Sequence, residues 1–519
     1  MKAGLLPDVA PIRAPPAGVK GIGRIFGMLA FAYPFGMLLS NYGLIMLASE
    51  GTRMMPSNPV VFLLGMLALS GVSQFVAPIA GYFSDRCKHP LGRRRPFFFC
   101  STLVAVPMIV LQWWGSMNGG NIQGTHGLDF SAGTPAEVTF DWVYVAAFFI
   151  SMMAFNIQQV NLSGIMADLV HPSQTGASNG ILGVLMLSGS LSGFAIYKVF
   201  VSFYSEPANA KYIAHCAPCH MKAANGTSVC PNMEQRTSTC AVHDLYLVFT
   251  ATLALFSICT LFSAQEKQLV AELPPWSWAD IRTTFTLSRT HHSDFYWVTV
   301  SRTFYYCGLS TQAFLQYYFR DACIWTDSKL FDAKLVTWNK SPHISNYAQM
   351  TVNICILAQV AAACLAYPAG VLSDKIGRKP VIYTAFFGMA VTYALLAFIT
   401  ELEYVIVLAG IWGAFNGCFT SVDYAIAIDT IPDKAQTARF LGVWGISSFI
   451  GTTIGPIVGG SLILFFGGVI SPSPTPGHYG VLGYRFLLCM GGVWNLIGAF
   501  FITKVRGNPG KPKPNPGLN

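Results

Sequence analysis

Residues 81–97 read GYFSDRCKHPLGRRRPF. A small residue, an acid and a run of arginines close one long apolar stretch, and another opens almost at once. The pattern returns at residues 370–380 as GVLSDKIGRKP. Two copies of one charged hinge, each between apolar spans, describe a chain built from two similar membrane halves.

The composition agrees. Of 519 residues, 53% are hydrophobic and only 11% charged, against about 25% charged in a soluble chain. The apolar runs are roughly 20–28 residues long, enough to cross a hydrocarbon core of about 30 Å. A large soluble helical protein would alternate such runs with amphipathic helices. The expected fold is an all-α polytopic membrane protein of twelve transmembrane helices. They run near 24–49, 59–84, 97–116, 141–168, 177–203, 245–264, 295–319, 346–371, 380–400, 404–429, 439–467 and 483–503.

The net charge of +9 sits beside span ends, about two to one in favour of the face that carries the hinges. It points to orientation in a lipid bilayer and not to nucleic acid. Both hinges and both termini are then cytoplasmic, and the plasma membrane is the expected location. Residues 1–23 form a Pro/Gly-rich basic tail without the short apolar core of a signal peptide. Residues 24–264 form one six-helix bundle with a Cys-rich outer loop at 204–244. Residues 265–294 form a central cytoplasmic loop, 295–503 a second bundle and 504–519 a basic tail. In the central loop, Trp276 and Trp278 after Pro274-Pro275 suit a short interfacial helix.

Internal repetition supports two pseudo-symmetric bundles. Gly180, Gly183, Gly189 and Gly193 in the fifth span are matched by Gly442, Gly445, Gly451 and Gly455 in the eleventh, each 262 residues later. Gln174-Thr175 and Gln436-Thr437 share that offset, and Asp168 and Asp429 match to within one residue. Small residues let helix backbones approach closely in lipid. Repeated bundles rocking about a central site are the architecture of alternating access.

The hinge, twice in twelve spans, resembles that of the major facilitator superfamily of secondary transporters, over residues 24–504. SDRC…GRRRPF and the fourth-span ending Ala167-Asp168-Leu169 resemble its sucrose and glycoside–proton symporter branch. The resemblance implies a cytoplasmic gate. Gly81, Asp85, Arg86, Gly92, Arg93 and Arg94 would form its first copy, with Asp168 beside them. Gly370, Asp374, Gly377, Arg378 and Lys379 would form the second, with Asp429. Asp85 would pair with Arg93 and Arg94, and Asp374 with Arg378 and Lys379. They would hold an outward-open form closed on the inside and break as it opens inward. Carboxylates beside several guanidinium groups form such charge-assisted bonds in any case. The chain departs from the branch in one place: Met152 stands where those symporters carry an acid in the fourth span.

Polar groups inside spans are costly and face interior cavities. Arg302, Tyr305, Gln312 and Gln316 share one face of the seventh span; Asn416, Thr420 and Asp423 form a stripe on the tenth. Asn156 and Gln159 lie on the fourth and Asn41 on the first. In the superfamily these four spans line the central cavity. Arg302 and Asp423 stand at similar depth and are expected to pair, with Asp423 taking a proton or answering to another coupling cation; a permanent structural ion pair is the alternative. Amides and tyrosines suit a polyhydroxylated solute such as a sugar or glycoside. A nucleoside, amino acid or organic acid is the alternative within the same carrier fold.

In the outer loop, Cys216, Cys219, Cys230 and Cys240 make an even set, read as two disulfides on an oxidising face. Cys216-Ala217-Pro218-Cys219-His220 also has the spacing of c-type haem attachment. A membrane redox protein is therefore the rival of another class, although the segment lacks the apolar residues of a haem pocket. No cofactor and no metal are expected. Asn225-Gly226-Thr227 is a glycosylation sequon. No nucleotide-binding loop or catalytic constellation is present, so no enzyme activity is expected.

Overall fold

The computed structural model describes residues 21–55, 58–118, 135–170, 175–209, 211–212, 233–266, 289, 292–323, 347–431, 437–473, 477–507 and 509. Among them the chain is helical, and its segments follow the twelve expected spans. α1 is Ile22–Met28 and Ala32–Met54, bent by 46°. α2 is Pro59–Asp85, α3 Arg95–Asn118, α4 Pro135–Leu169, α5 Thr175–Ser205 and α6 Met233–Ser263. α7 runs from Ser293–Leu309 through a 3₁₀ turn, Ser310–Phe314, into Leu315–Asp321. α8 is Tyr347–Ile376, α9 Arg378–Phe398 and α10 Leu402–Thr430. α11 is Thr437–Leu462, prolonged by the π segment Ile463–Ile470, and α12 is Val481–Thr503.

Ten of these helices are long and apolar enough to cross a membrane, and bent α1 makes an eleventh. α7 does not meet that measure. It is broken by the 3₁₀ turn and carries Arg302, Gln312 and Gln316, as a helix facing the protein interior can. The chain is a multi-pass membrane protein.

In two elements, buried polar residues carry the helix past the end that hydropathy suggested. α1 continues past residue 49 through Glu50 and Arg53, which are 1% exposed and paired at 2.6 Å. α6 begins at Met233 and not at 245, so the expected outer loop 204–244 ends earlier and Cys240 lies within a helix. The physical reason is the same. Residues 236–243 are buried, and Ser238 shares hydrogen bonds with Ser49 and Tyr197. Polar side chains satisfied inside the bundle do not end a helix. The expected interfacial helix of the central loop lies outside the described residues.

The glycine repeat positions the halves' inner helices. A Cβ on Gly189 would stand 2.0 Å from the Tyr33 carbonyl, and one on Gly193 2.2 Å from Asn41 Nδ2, so α5 lies tightly on α1. A Cβ on Gly451 would stand 2.5 Å from the Thr303 carbonyl, and one on Gly455 2.0 Å from Ser310 Oγ, so α11 lies as tightly on α7. The same pair of glycines does the same packing in each half.

Among the described residues, hydrogen bonds join the halves along three main seams, from the middle of the bundle toward the face opposite the hinges. On α1–α7, Gln316 Nε2 donates to Ser49 Oγ (3.2 Å), and the Tyr317 hydroxyl to the Ala48 carbonyl (2.9 Å). On α5–α8, Gln359 Nε2 donates to Ser190 Oγ (2.7 Å) and Lys198 Nζ to Asn353 Oδ1 (3.1 Å). On α2–α11, Gln74 Nε2 donates to Thr452 Oγ1 (3.2 Å), and the Phe75 and Phe449 rings meet at 4.0 Å. On the hinge side, by contrast, a Cβ on Gly180, Gly183, Gly370 or Gly445 would meet nothing within 4 Å among the described residues.

The seams make a prediction. Tyr317→Phe removes the hydroxyl that also reaches the Pro59 carbonyl at 3.3 Å. A hydrogen bond is worth about 0.5–1.5 kcal/mol net, so the closed seam should lose roughly two- to tenfold in population. Spin labels at Ser202 and Glu401, exposed at the corresponding ends of the two halves, should show a larger fraction of long distances in the variant.

Candidate solute path and its gates

Each hinge turns on a glycine in a conformation that side chains resist. Gly92 has φ of 108° and Gly377 of 95°, a region open chiefly to glycine. The turn at Gly92 swings Arg93 and Arg94 back toward the ends of α2 and α4. Arg94 is 9% exposed. It bonds Asp168 Oδ2 at 2.8 Å and pairs with Asp85. Arg93 grips Asp168 through Nε and Nη2. In the second hinge Arg378 pairs with Asp374, donates to Ser373 Oγ (2.6 Å) and bonds Asp429 Oδ2 (3.1 Å). Asp168 and Asp429 thus play matching parts. The Lys379 amine bonds the Val505 carbonyl, while Arg378 holds Asp374 and Asp429. Arg86 lies over the Tyr82 ring at 4.4 Å. Gly81 has only Val160 at 3.5 Å from a built Cβ. These ion pairs each stay within one half, and they stand intact while the halves are joined at the opposite face.

Sequence reading missed Glu266, just past α6. Its Oε2 accepts the backbone N–H groups of Arg94 (2.8 Å) and Arg95 (3.1 Å), capping α3 from a distant helix. Burial pushes its carboxyl above the usual range, against the pull of those two N–H groups. No local motif points to it, because the partners are 172 and 171 residues apart.

Arg94→Ala removes charge-assisted bonds to Asp85 and Asp168 at once. The loss should be about 1.5–3 kcal/mol, read as a lower unfolding midpoint of the purified protein. Lys375→Ala, on the exposed end of α8, should shift stability by no more than about 0.5 kcal/mol.

The centre of the second half holds the expected pair. Arg302 Nε donates to Asp423 Oδ2 at 2.8 Å, and the two residues are 7% and 8% exposed. Arg302 Nη1 donates to the Trp444 carbonyl and to Ser447 Oγ, each at 2.9 Å, and Nη2 to the Tyr306 hydroxyl at 3.0 Å. Its guanidinium stacks 3.4 Å from the centroid of Trp444. One side chain thereby ties α7, α10 and α11 together. Trp444 and Ser447 were not singled out in the sequence, where they read as part of a glycine-rich packing helix.

The other expected path residues divide. Tyr305 donates to Asn416 Oδ1 at 2.6 Å and stacks on Phe419 at 3.8 Å, beside the ion pair. Gln312 is half-buried, and Thr420 is exposed with its hydroxyl on the Gly417 carbonyl. Gln316 is buried in the α1–α7 seam. In the first half, Asn156 bonds Ser73 Oγ (2.9 Å), tying α4 to α2. The half-buried Gln159 keeps an oxygen without a hydrogen-bond partner. Asn41 is fully buried, bonded to the Met37 carbonyl and pressed against Gly193; it belongs to the α1–α5 contact and not to an open path. Met152 is buried in the core. Cys216, Cys219, Cys230, His220 and Asn225 lie outside the described residues, and Cys240 is fully buried.

Comparison with known proteins places this geometry. The family model described as Major Facilitator Superfamily matches residues 330–518. The multi-drug resistance efflux pump PmrA of Streptococcus pneumoniae is 30% identical over 127 residues, 24% of this chain and 31% of that protein. The class B tetracycline resistance protein of Escherichia coli is 31% identical over 132 residues, 25% of this chain and 30% of that protein. The sucrose transport protein SUC3 of Arabidopsis thaliana is 27% identical over 121 residues, 23% and 20%. The chain thus spans about a third or less of the length of the curated relatives it matches.

In fold the likeness extends along nearly the whole chain. The nucleoside transporter NupG matches with a TM-score of 0.56 at 12% identity, over 93% of this chain and 98% of that one. The xylose transporter XylE from E. coli, in a partially occluded inward open conformation, matches at 0.53 and 13%, over 94% and 98%. The matched proteins are described as transport and resistance proteins. The chain is thus similar to the Major Facilitator Superfamily model through residues 330–518, and to transporters in fold along nearly its whole length.

Proposed function

We propose that the chain is a secondary active transporter that moves a small polar solute, a sugar or glycoside foremost, by proton-coupled alternating access. The carrying observation is the buried Arg302–Asp423 pair, at the crossing of three helices of one rocking half. Protonation of Asp423 would release Arg302 and loosen α7, α10 and α11 together. The open space beside Gly180, Gly183, Gly370 and Gly445 supports a second arrangement in which the hinge side closes. The hinge face is then cytoplasmic, with both termini, and the plasma membrane is the proposed location.

The sugar class is supported by the amide and tyrosine groups near the pair and by the partial likeness to sucrose transport proteins. Proton coupling rests on Asp423, since the fourth helix offers Met152 and no acid at the expected position. The buried, disulfide-bonded Cys240 supports a covalently stapled outer loop, with Asn225 as its glycosylation site. No cofactor is proposed.

The test is current in voltage-clamped oocytes exposed to a panel of sugars at acidic and neutral external pH, with surface expression measured in parallel. An inward current that saturates with one sugar and grows with acid is expected. Silence across the panel, with protein at the surface, removes the sugar assignment.

A further inference from the structure

Lys198 lies seven residues inside the end of α5, about 10 Å along the helix axis. Its amine reaches across to the other half and donates to Asn353 Oδ1 at 3.1 Å. No carboxylate stands within ion-pair distance of it among the described residues. Glu206, the nearest acid in sequence, accepts from Asn209 at 3.4 Å, and Asp244 on α6 accepts from the Tyr204 hydroxyl at 2.7 Å. A cation within a membrane span without a counter-ion costs about 2.5–3.5 kcal/mol at the helix centre. An ammonium has three donors, and the neutral amide oxygen of Asn353 takes one. Farther along the same α5–α8 seam, Gln359 donates to Ser190 while its Oε1 is buried without a hydrogen-bond partner.

Two other interior charge pairs are matched, Arg302 by Asp423 and Glu50 by Arg53. Lys198 is the one charged side chain of α5, and among the described residues it brings a positive charge to the α5–α8 seam without an acid to match it. If the halves part at the face opposite the hinges, as the proposed function requires, Asn353 would move away with α8. Lys198 would then be exposed on the wall of the opened path, with Ser190 below it on the same helix and Gln359 and Asn353 across from it on α8.

We propose that Lys198 is the recognition point for an anionic group on the solute, and that the solute is a hydroxylated carboxylate, such as a sugar acid, in preference to a neutral sugar. Its carboxylate pairs with the ammonium, and its hydroxyl groups meet the amides of Gln359 and Asn353 and the hydroxyl of Ser190. Asn353 holds the ammonium when no solute is present. This deepens the transport reading, on which it rests for the opening of the seam.

The test uses the purified full chain in detergent and in vesicles, with D-glucuronate, D-glucose and acetate as probes. D-Glucuronate should stabilise the wild type against heat, with binding at least about tenfold tighter than either D-glucose or acetate. Lys198→Gln should lose that preference, and Lys198→Arg should keep most of it. Lys198→Gln is isolated only if it gives a monodisperse protein; if it does not, Lys198→Met serves in its place. An unchanged preference in Lys198→Gln, or equal binding of acetate and D-glucuronate, overturns the proposal, as does the absence of any D-glucuronate effect on the wild type. Vesicle uptake separates the two readings. Lys198-dependent binding without flux sinks the transporter reading and leaves the anion site standing. Acid-driven flux of neutral D-glucose, unaffected by Lys198→Gln, does the reverse.

Discussion

Asp423→Asn should abolish acid-driven accumulation of solute while leaving the protein folded and at the surface. The amide oxygen of asparagine can still accept from Arg302 Nε, now 2.8 Å from the carboxylate. Arg302 also keeps its bonds to the Trp444 carbonyl, Ser447 and Tyr306. What the variant lacks is a group that changes charge. A coupling free energy of about 1–3 kcal/mol corresponds to roughly 5–150-fold, so uptake driven by a pH gradient should fall by at least about tenfold. Exchange of solute between equal pools should continue. If instead pH-driven uptake persists at wild-type levels, the pair is a structural tie and the coupling acid lies elsewhere. Arg302→Met tests the pair from the other side. It strands a buried carboxylate, a change that costs about 3–5 kcal/mol, and should lower the yield of folded protein far more than Asp423→Asn does.

The second large effect separates folding from motion. α8 and α10 pack extensively along their lengths, and two glycines let them touch. A Cβ at Gly413 would stand 2.1 Å from the Ala358 carbonyl, and one at Gly417 2.2 Å from that of Ala362. Those neighbours are backbone, which cannot rotate aside. Overpacking costs about 1–3 kcal/mol where side chains can yield, and more is expected here. Gly417→Val should therefore remove most of the monodisperse protein recovered after detergent extraction. Gly370→Val makes the contrast, since nothing lies within 4 Å of its built Cβ. It should be recovered in wild-type amounts yet turn over at least about fivefold more slowly, because the added methyl groups would stand in the gap the hinge side must close. Normal turnover in Gly370→Val would show that this glycine faces no closing surface.

Much of the molecule was legible before any coordinates. The twelve segments follow from run length and from the hinges, because a bilayer admits few ways of satisfying a backbone. The pseudo-symmetry was visible in the glycine offset: Gly189 and Gly193, and their counterparts Gly451 and Gly455, perform the same packing on α1 and α7. The Arg302–Asp423 pair could be foreseen because lone charges at that depth are costly, and each needed the other. Hydropathy failed where polar groups are buried inside the bundle, at Glu50 with Arg53 and along residues 236–243 of α6.

What the sequence determined by itself was therefore the membrane class, the two-halved plan, the two hinges and the central ion pair. Each is written in local composition or in a repeat that one chain can display. Only the tertiary structure decided that Glu266 caps α3, that Asn41 belongs to a helix contact, that Trp444 and Ser447 complete the seat of Arg302, and that Lys198 crosses to Asn353. Those partners lie on different helices, joined by no periodicity, and only packing brings them within hydrogen-bond reach.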